Sequence, residues 1–336
     1  MRNNKELITV IVTTYNSEIN FLEKCISSIV NQTYTNLEIL IIDDNSKMII
    51  YDYQKKIVKS KFNDSRIKFY RNNKNYGVSY SLNKGIKFSK GKYISWCSYD
   101  DFLHPNKINL QYKLIKEMPE PSKTIISCNS YIIYENLNFS RSVSYQKINN
   151  RDALLYQDKY SGGSFLIPKS IFYLVGFFNT KLKHIQDYDM WLRMYDYNIK
   201  YFNLNKNLFY SRVHNNQDSK KKIKYAVKEK SVFYYNYINK NINYFFSFYS
   251  FVEILLLANY FKFRSYNKVS NMFLTKIKKS SEKNFKYLKL CIIIFTFKIN
   301  EIIFLIFIII KKIIISFIEI LSIYKKTVTK IVNYMS

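Results

Sequence analysis

Between residues 7 and 98, short β-branched or apolar runs alternate with stretches whose apolar residues recur at helical spacing. This alternation constrains the fold more than any other feature of the chain. "LITVIVT" (7–13) is followed by "NSEINFLEKCISSIVNQ", in which Ile19, Phe21, Leu22, Cys25, Ile26, Ile29 and Val30 mark one helical face. Asn16 or Ser17 is placed to cap that helix. The pattern repeats as "LEILII" (37–42), a helix near 50–60, "RIKFYR" (66–71), a helix over 77–88 and "KYISWCS" (92–98), with Pro105 suited to the first turn of the next helix. Strands that alternate with helices pair in parallel through right-handed crossovers, so the spacing predicts an α/β sheet covered on both faces.

In such a sheet, ligands bind beyond the carboxyl ends of the strands. Each of the four runs ends in a polar cluster: "TTYN" (13–16), "DDNS" (43–46), "NNKNYG" (72–77) and "SYDD" (98–101). Four strand ends with hydrogen-bonding or acidic groups point to one shared polar site. No GxGxxG or GxxxxGK[ST] follows any of these strands, so neither a dinucleotide fingerprint nor a P-loop holds phosphate. The adjacent carboxylates Asp100 and Asp101 have two readings. They form a seat for a hard divalent cation that bridges to phosphate oxygens, or a turn whose aspartates cap the helix near Pro105. Further on, "IQDYDMWLR" reads as a helix with Tyr188, Trp191, Leu192 and Tyr195 as its buried stripe. Asp187 then lies in the first turn, and Asp189 and Arg193 are spaced for an ion pair on the helix surface.

Composition widens the choice of partners before it narrows it. Lys and Arg number 53 against 24 Asp and Glu, a formal charge of +29 in 336 residues, which favours phosphates, anionic lipid headgroups or nucleic acid. The abundance of Ile, Lys, Asn, Tyr and Phe, all with A/T-rich codons, offers a reading of the same excess that needs no partner. The four cysteines, Cys25, Cys97, Cys128 and Cys291, lie far apart without a CxxC and read as reduced core residues. The N-terminus runs into its first strand without the apolar region and cleavage site of a signal peptide, so a cytosolic location is expected.

With "VIVTTYN", "QTYTNLEILIIDDNS", "NYGVSYSLNKGI", "YISWCSYDDFLHPNKI" and "QDYDMWLRM" in this order, the chain resembles the family 2 glycosyltransferases of the GT-A fold over roughly residues 6–217. The resemblance implies an inverting enzyme that takes a sugar from a nucleotide-diphosphate donor, a UDP-sugar foremost, to a glycan or lipid-linked acceptor in bacterial surface polysaccharide synthesis. It does not imply a nucleic-acid partner. By the same resemblance, Thr13, Tyr15 and Asp44 surround the base and ribose, with Asp44 accepting from the base. Asp100 and Asp101 match the acidic motif that holds Mg²⁺ or Mn²⁺ and the donor diphosphate. Ser98 stands where many members have a further Asp, which bears on metal dependence. His214, in "YSRVHNNQDS", matches a polar residue that approaches the metal or diphosphate from a later loop, against the alternative of a satisfied loop histidine. His104 and His184 are assigned to local structure. Asp187 matches the general base, which activates the acceptor hydroxyl on the face opposite the leaving group, as in inverting glycosidases. Trp191 is expected in the core rather than as an acceptor platform.

Beyond residue 217 these motifs stop. The expected division is a GT-A catalytic domain over 1–217 and a helical, membrane-associated region over 218–336. Within it "EIIFLIFIIIKKIIISFIEILSIYKK" (301–326) is apolar but interrupted by Lys311, Lys312 and Glu319, short of the roughly 18 uncharged residues of a span. Glu301, Lys312, Glu319 and Lys326 fall on one helical stripe, with Ser316 near it. That suits residues 285–336 to lie in the membrane interface at the inner leaflet, peripherally attached, or to pack against neighbouring helices. Two other functions fit parts of the sequence: a non-catalytic sugar-nucleotide-binding homologue, and a basic nucleic-acid-binding protein.

Overall fold

The alternating pattern folds into a parallel sheet of β1 (Ile8–Thr14), β2 (Leu37–Asp43), β3 (Ile67–Arg71) and β4 (Tyr93–Ser98), ordered β3-β2-β1-β4. A two-residue strand, β8 (Ile167–Pro168), adds antiparallel beyond β4. The connecting helices are α1 (Ile19–Val30), α2 (Met48–Phe62) and α3 (Val78–Phe88). The structure, a computed structural model, describes residues 5–135, 139–144, 160–215, 217, 223–248, 254, 257–258, 261–262 and 266–281. Every residue of β2 is buried, as a central parallel strand covered on both faces requires. Glu38 within it accepts from Thr9 Oγ1 at 2.8 Å, Lys68 Nζ at 2.9 Å and the Lys90 N–H at 2.7 Å. These partners outweigh the cost of burial and hold its pKa below the usual value.

Asn16 and Ser17 do not cap α1, whose N-cap is Glu18, with no side-chain capping bond. They brace the β1–α1 turn against the next one instead. Asn16, at φ 44°, receives the Lys47 N–H on its side chain at 2.9 Å and donates its own N–H to Ser46 Oγ at 2.7 Å. Ser17 Oγ lies 2.5 Å from Thr14 Oγ1 and accepts from Gln54 Nε2 at 2.8 Å. Short polar side chains at a strand end find these partners only when two strands are adjacent, which the local sequence does not reveal. Pro105 sits just outside α4 (Lys107–Lys116), whose N-cap is Asn106.

A second sheet, ordered β5-β9-β6-β7, is built from β5 (Phe102–Leu103), β6 (Thr124–Tyr134), β7 (Phe139–Val143) and β9 (Lys200–Val213). β6 and β9 run parallel, with a register shift around Asn129. Ile108, Tyr112 and Ile115 of α4 join Cys97, Ile126, Cys128 and Phe209 in the core, tying the two sheets together. Cys25, Cys97 and Cys128 are free and buried, as expected of core thiols.

The chain divides into two compact units, Met1–Tyr234 and Tyr235–Ser336, so the first unit continues past residue 217. In the second, α8 (Ile242–Phe248) and α9 (Asn267–Ser281) bury Phe245, Phe261 and Phe273, with the Phe261 and Phe273 rings stacked at 6.1 Å. Among the described residues no helix is long and apolar enough to cross a membrane. The stripe of Glu301, Lys312, Glu319 and Lys326 lies outside the described residues.

Candidate active site

Parallel register brings the four polar clusters to one edge. Thr14 is opposite Asp43, Thr13 opposite Ser98, and Asp43 opposite Arg71. Backbone bonds continue the ladder past the strands: Asp44 N–H to Thr14 O at 2.8 Å, Asn72 N–H to Asp43 O at 2.8 Å, and Tyr99 N–H to Thr13 O at 3.2 Å. Thr13 is half-buried in this row, and Tyr15 is 45% exposed at the mouth beside it.

Asp44 is buried and already well partnered. Its Oδ1 accepts from Asn72 Nδ2 at 2.8 Å and the Tyr76 N–H at 3.0 Å, and its Oδ2 accepts from the Gly77 N–H at 2.7 Å. Asp44 therefore holds the 72–77 loop that opens α3. Gly77 is the residue this turn requires, since its φ of 93° is unfavourable for a side chain.

The two carboxylates after β4 have different surroundings. Asp100 Oδ2 lies 3.2 Å from His214 Nε2 and 3.4 Å from Gln217 Nε2, while its buried Oδ1 has no hydrogen-bond partner among the described residues. His214 follows β9, is buried, and packs its ring 4.9 Å from that of Phe21 in α1. A buried carboxylate oxygen without a partner beside an imidazole nitrogen suits Mg²⁺ or Mn²⁺ whose shell is completed by water and phosphate. Among the described residues there is no group of three or more His, Cys, Asp or Glu that could hold a metal ion.

Asp101 is engaged by β9 instead. It accepts the Arg212 N–H at 3.0 Å and a bond from Ser211. Burial, with the neighbouring Asp100 charge, pushes its pKa well above the usual carboxylate range despite those bonds. These bonds give Asp101 an anchoring task on β9. Arg212 itself is buried, with its guanidinium over Phe21 at 4.7 Å and Phe102 at 5.0 Å.

Asp187 lies in the first turn of α6 (Gln186–Asp196). It takes a bond from the Gly162 N–H, and its enclosed Oδ1 has no partner among the described residues. Burial raises its pKa to about 6, the Gly162 bond opposing that shift. A Cβ on Gly162 would stand 2.7 Å from Trp96 and 2.9 Å from Asp187 Oδ2, so only glycine lets β4 and α6 approach this closely. "SGGS" in a chain with 6 glycines was the available signal for this residue, and the motif reading missed it. Gln186 Oε1, adjacent in sequence, is likewise buried without a partner among the described residues.

The buried side of α6 is Met190, Trp191, Leu192 and Met194, with Tyr188 and Tyr195 only half-buried, a rotation from the expected stripe. Trp191 is fully buried, stacked on Trp96 at 6.1 Å and 4.4 Å from the Phe165 ring, and so belongs to the core. Asp189 and Arg193 pair at 2.8 Å, and Arg193 also binds the carbonyls of Val175, Gly176 and Phe177. His104 Nδ1 accepts the Asn106 N–H at 3.1 Å, and the His184 N–H goes to Glu229 at 2.7 Å.

This arrangement is that of a GT-A glycosyltransferase. The profile of the family described as "Glycosyl transferase family 2" matches residues 9–181, and the chain belongs to that family. It is 33% identical over 220 residues to the uncharacterised glycosyltransferase RT0329 of Rickettsia typhi, a match spanning 63% of this chain and 65% of that protein. The match to glycosyltransferase RC0461 of Rickettsia conorii, also 33% identical, spans only 35% of that protein. It is 28% identical to the Escherichia coli UDP-Glc:alpha-D-GlcNAc-diphosphoundecaprenol beta-1,3-glucosyltransferase WfaP, over 68% of this chain and 85% of that one. Among solved structures, S. aureus TarS 1–349 shares the fold, with a TM-score of 0.50 and 18% identity over 67% of this chain and 64% of that one.

Proposed function

We propose that the chain is an inverting glycosyltransferase that moves a sugar from a nucleotide-diphosphate donor, a UDP-sugar foremost, to a glycan or lipid-linked acceptor of a bacterial surface polysaccharide. It works at the cytoplasmic face of the membrane. The carrying observation is Asp187: an enclosed carboxyl with its pKa raised to about 6, one oxygen without a partner among the described residues, packed through Gly162 against the strand that leads to Asp100. Kinship with WfaP, whose name specifies a diphosphoundecaprenol-linked acceptor, supports the lipid-linked alternative.

In this reading Asp187 Oδ1 accepts the proton of the acceptor hydroxyl, and Gln186 Oε1 receives a second hydroxyl of the same sugar. The activated oxygen bonds to the anomeric carbon as the bond from that carbon to the diphosphate oxygen breaks on the opposite face, inverting the centre. A base with a pKa near 6 is largely ionised at neutral pH yet retains useful basicity. Thr13 and Tyr15 line the donor's nucleoside end, and Asp44 keeps its wall in place through the 72–77 loop. Asp100 and His214 would hold Mg²⁺ or Mn²⁺, which when bound would neutralise charge on the leaving diphosphate. Asp101 positions β9, and with it His214.

The test is nucleotide release from UDP-, GDP-, dTDP- and CMP-sugars with Mn²⁺ or Mg²⁺ present, followed by NMR of the product anomer. One donor class should turn over with inversion. Binding of a donor without turnover of any would leave a sugar-nucleotide-binding homologue.

A further inference from the structure

We infer that the surface formed by the end of α3 and by α5 (Lys169–Val175) docks on an anionic phospholipid bilayer. α5 turns Ile171, Phe172 and Val175 into the core and presents Tyr173 and Leu174 to solvent, 60% and 49% exposed. Phe177 follows, its ring edge-on to Tyr173 at 5.2 Å. Lys87 Nζ stands 5.2 Å over the Phe177 ring, and Lys169 Nζ stands 5.9 Å from the Tyr173 ring while donating to Ser89 O at 2.6 Å. Phe88, 47% exposed, lies between Lys87 and Ser89. Single exposed apolar residues are ordinary on a protein surface. Here Tyr173 and Leu174 are consecutive and the Phe177 ring meets Tyr173, with lysines of two elements against the rings, while the Phe88 ring meets Tyr70 of β3 at 4.9 Å.

The charge around them has one sign. Residues 78–99 contain no Asp or Glu but four lysines, and residues 160–186 contain none but three lysines. Three acids of the same unit are paired with basic side chains: Asp189 with Arg193 at 2.8 Å, Glu38 with Lys68 at 2.9 Å, and Glu6 with Lys92 at 2.7 Å. An aliphatic Leu174 among aromatic rings has nothing to offer a base or a phosphate chain. Apolar side chains entering the acyl boundary, with lysines reaching to headgroups, are what an interfacial surface presents.

Phe178 exchanges hydrogen bonds with Asn83 in both directions, at 2.8 and 2.9 Å, which fixes the chain after α5 against α3. The docking surface goes beyond the proposed reaction, and its test contains neither donor nor acceptor.

The full chain, as a Tyr173→Cys variant in a Cys291→Ser background, is labelled with an environment-sensitive fluorophore. It is mixed with vesicles of phosphatidylcholine alone or with about one third phosphatidylglycerol. The expected result is a blue shift on the anionic vesicles, quenched by brominated acyl chains, and little change on phosphatidylcholine. Adding Lys87→Glu should weaken the anionic partitioning of the label about fivefold or more, the effect of one basic residue near such a surface. Protein that co-sediments while the label stays in water overturns the inference, because another segment is then the anchor. Absence of any shift, or equal shifts on both vesicles, also overturns it. A label already shielded without vesicles shows that protein covers this face, and overturns it too.

Discussion

Glu229 clasps the turn that leads into the base, accepting the Lys183 N–H at 2.8 Å and the His184 N–H at 2.7 Å on its two carboxylate oxygens. It stands on α7 (Ile223–Lys240), beyond the 217 boundary suggested by composition. Lys183 Nζ in turn donates to Tyr76 O at 2.9 Å, which joins this turn to the loop held by Asp44. The turn before Asp187 and the loop held by Asp44 thus share one chain of bonds.

Glu229→Ala should lower turnover about tenfold or more with donor affinity unchanged, since displacing a reacting group by an ångström is enough for such a loss. Glu229→Gln, with one acceptor oxygen, should fall between. Donor titration by calorimetry beside steady-state kinetics checks the split. A parallel loss of donor binding would mean that the turn supports the whole site.

Asp187→Asn should reduce turnover about 10²–10⁴-fold and leave donor binding intact, as removal of a general base does. In the wild type the base form is the ionised one, so turnover should rise with pH through about 6 and level off above it. Stability runs the other way. The folded carboxyl holds its proton more tightly than the unfolded one, so the native state loses stability as pH rises from about 4 through about 6. Asp187→Asn should therefore melt above wild type at neutral pH, with the gap closing near pH 4.

Asp100→Asn should abolish Mn²⁺ binding, followed by electron paramagnetic resonance, with little change in melting. Asp101→Ala should leave the buried Arg212 N–H without its partner and destabilise the first unit by about 1–3 kcal/mol. Equal loss of Mn²⁺ affinity in both variants, at equal stability, would restore the paired-ligand reading.

Gly162→Ala places a methyl carbon against Trp96 and Asp187 Oδ2. Overpacking of this kind costs about 1–3 kcal/mol. Thermal melting should show that loss, and turnover should fall more than donor affinity because the displaced groups include the base.

Period and punctuation were enough to place the parallel sheet. β1 to β4 and α1 to α3 fall where the apolar runs and helical spacings lie, because a strand buried on both faces and a helix with one wet face leave unmistakable local patterns. The same rule put Thr13, Asp44 and Asp100 at one edge, and the short acidic motifs picked out Asp187. Only the tertiary structure decided what each carboxylate does. Asp100 and Asp101 are neighbours in sequence, yet one keeps a free oxygen beside His214 and the other is bound to β9, because successive residues after a strand point in different directions. Asp44 is bonded to Asn72, Tyr76 and Gly77, partners that its motif does not reveal. Gly162 and Glu229 have no motif at all, since close approach and long-range hydrogen bonds depend on residues far apart in the chain meeting at one point, and no local window of sequence encodes that meeting.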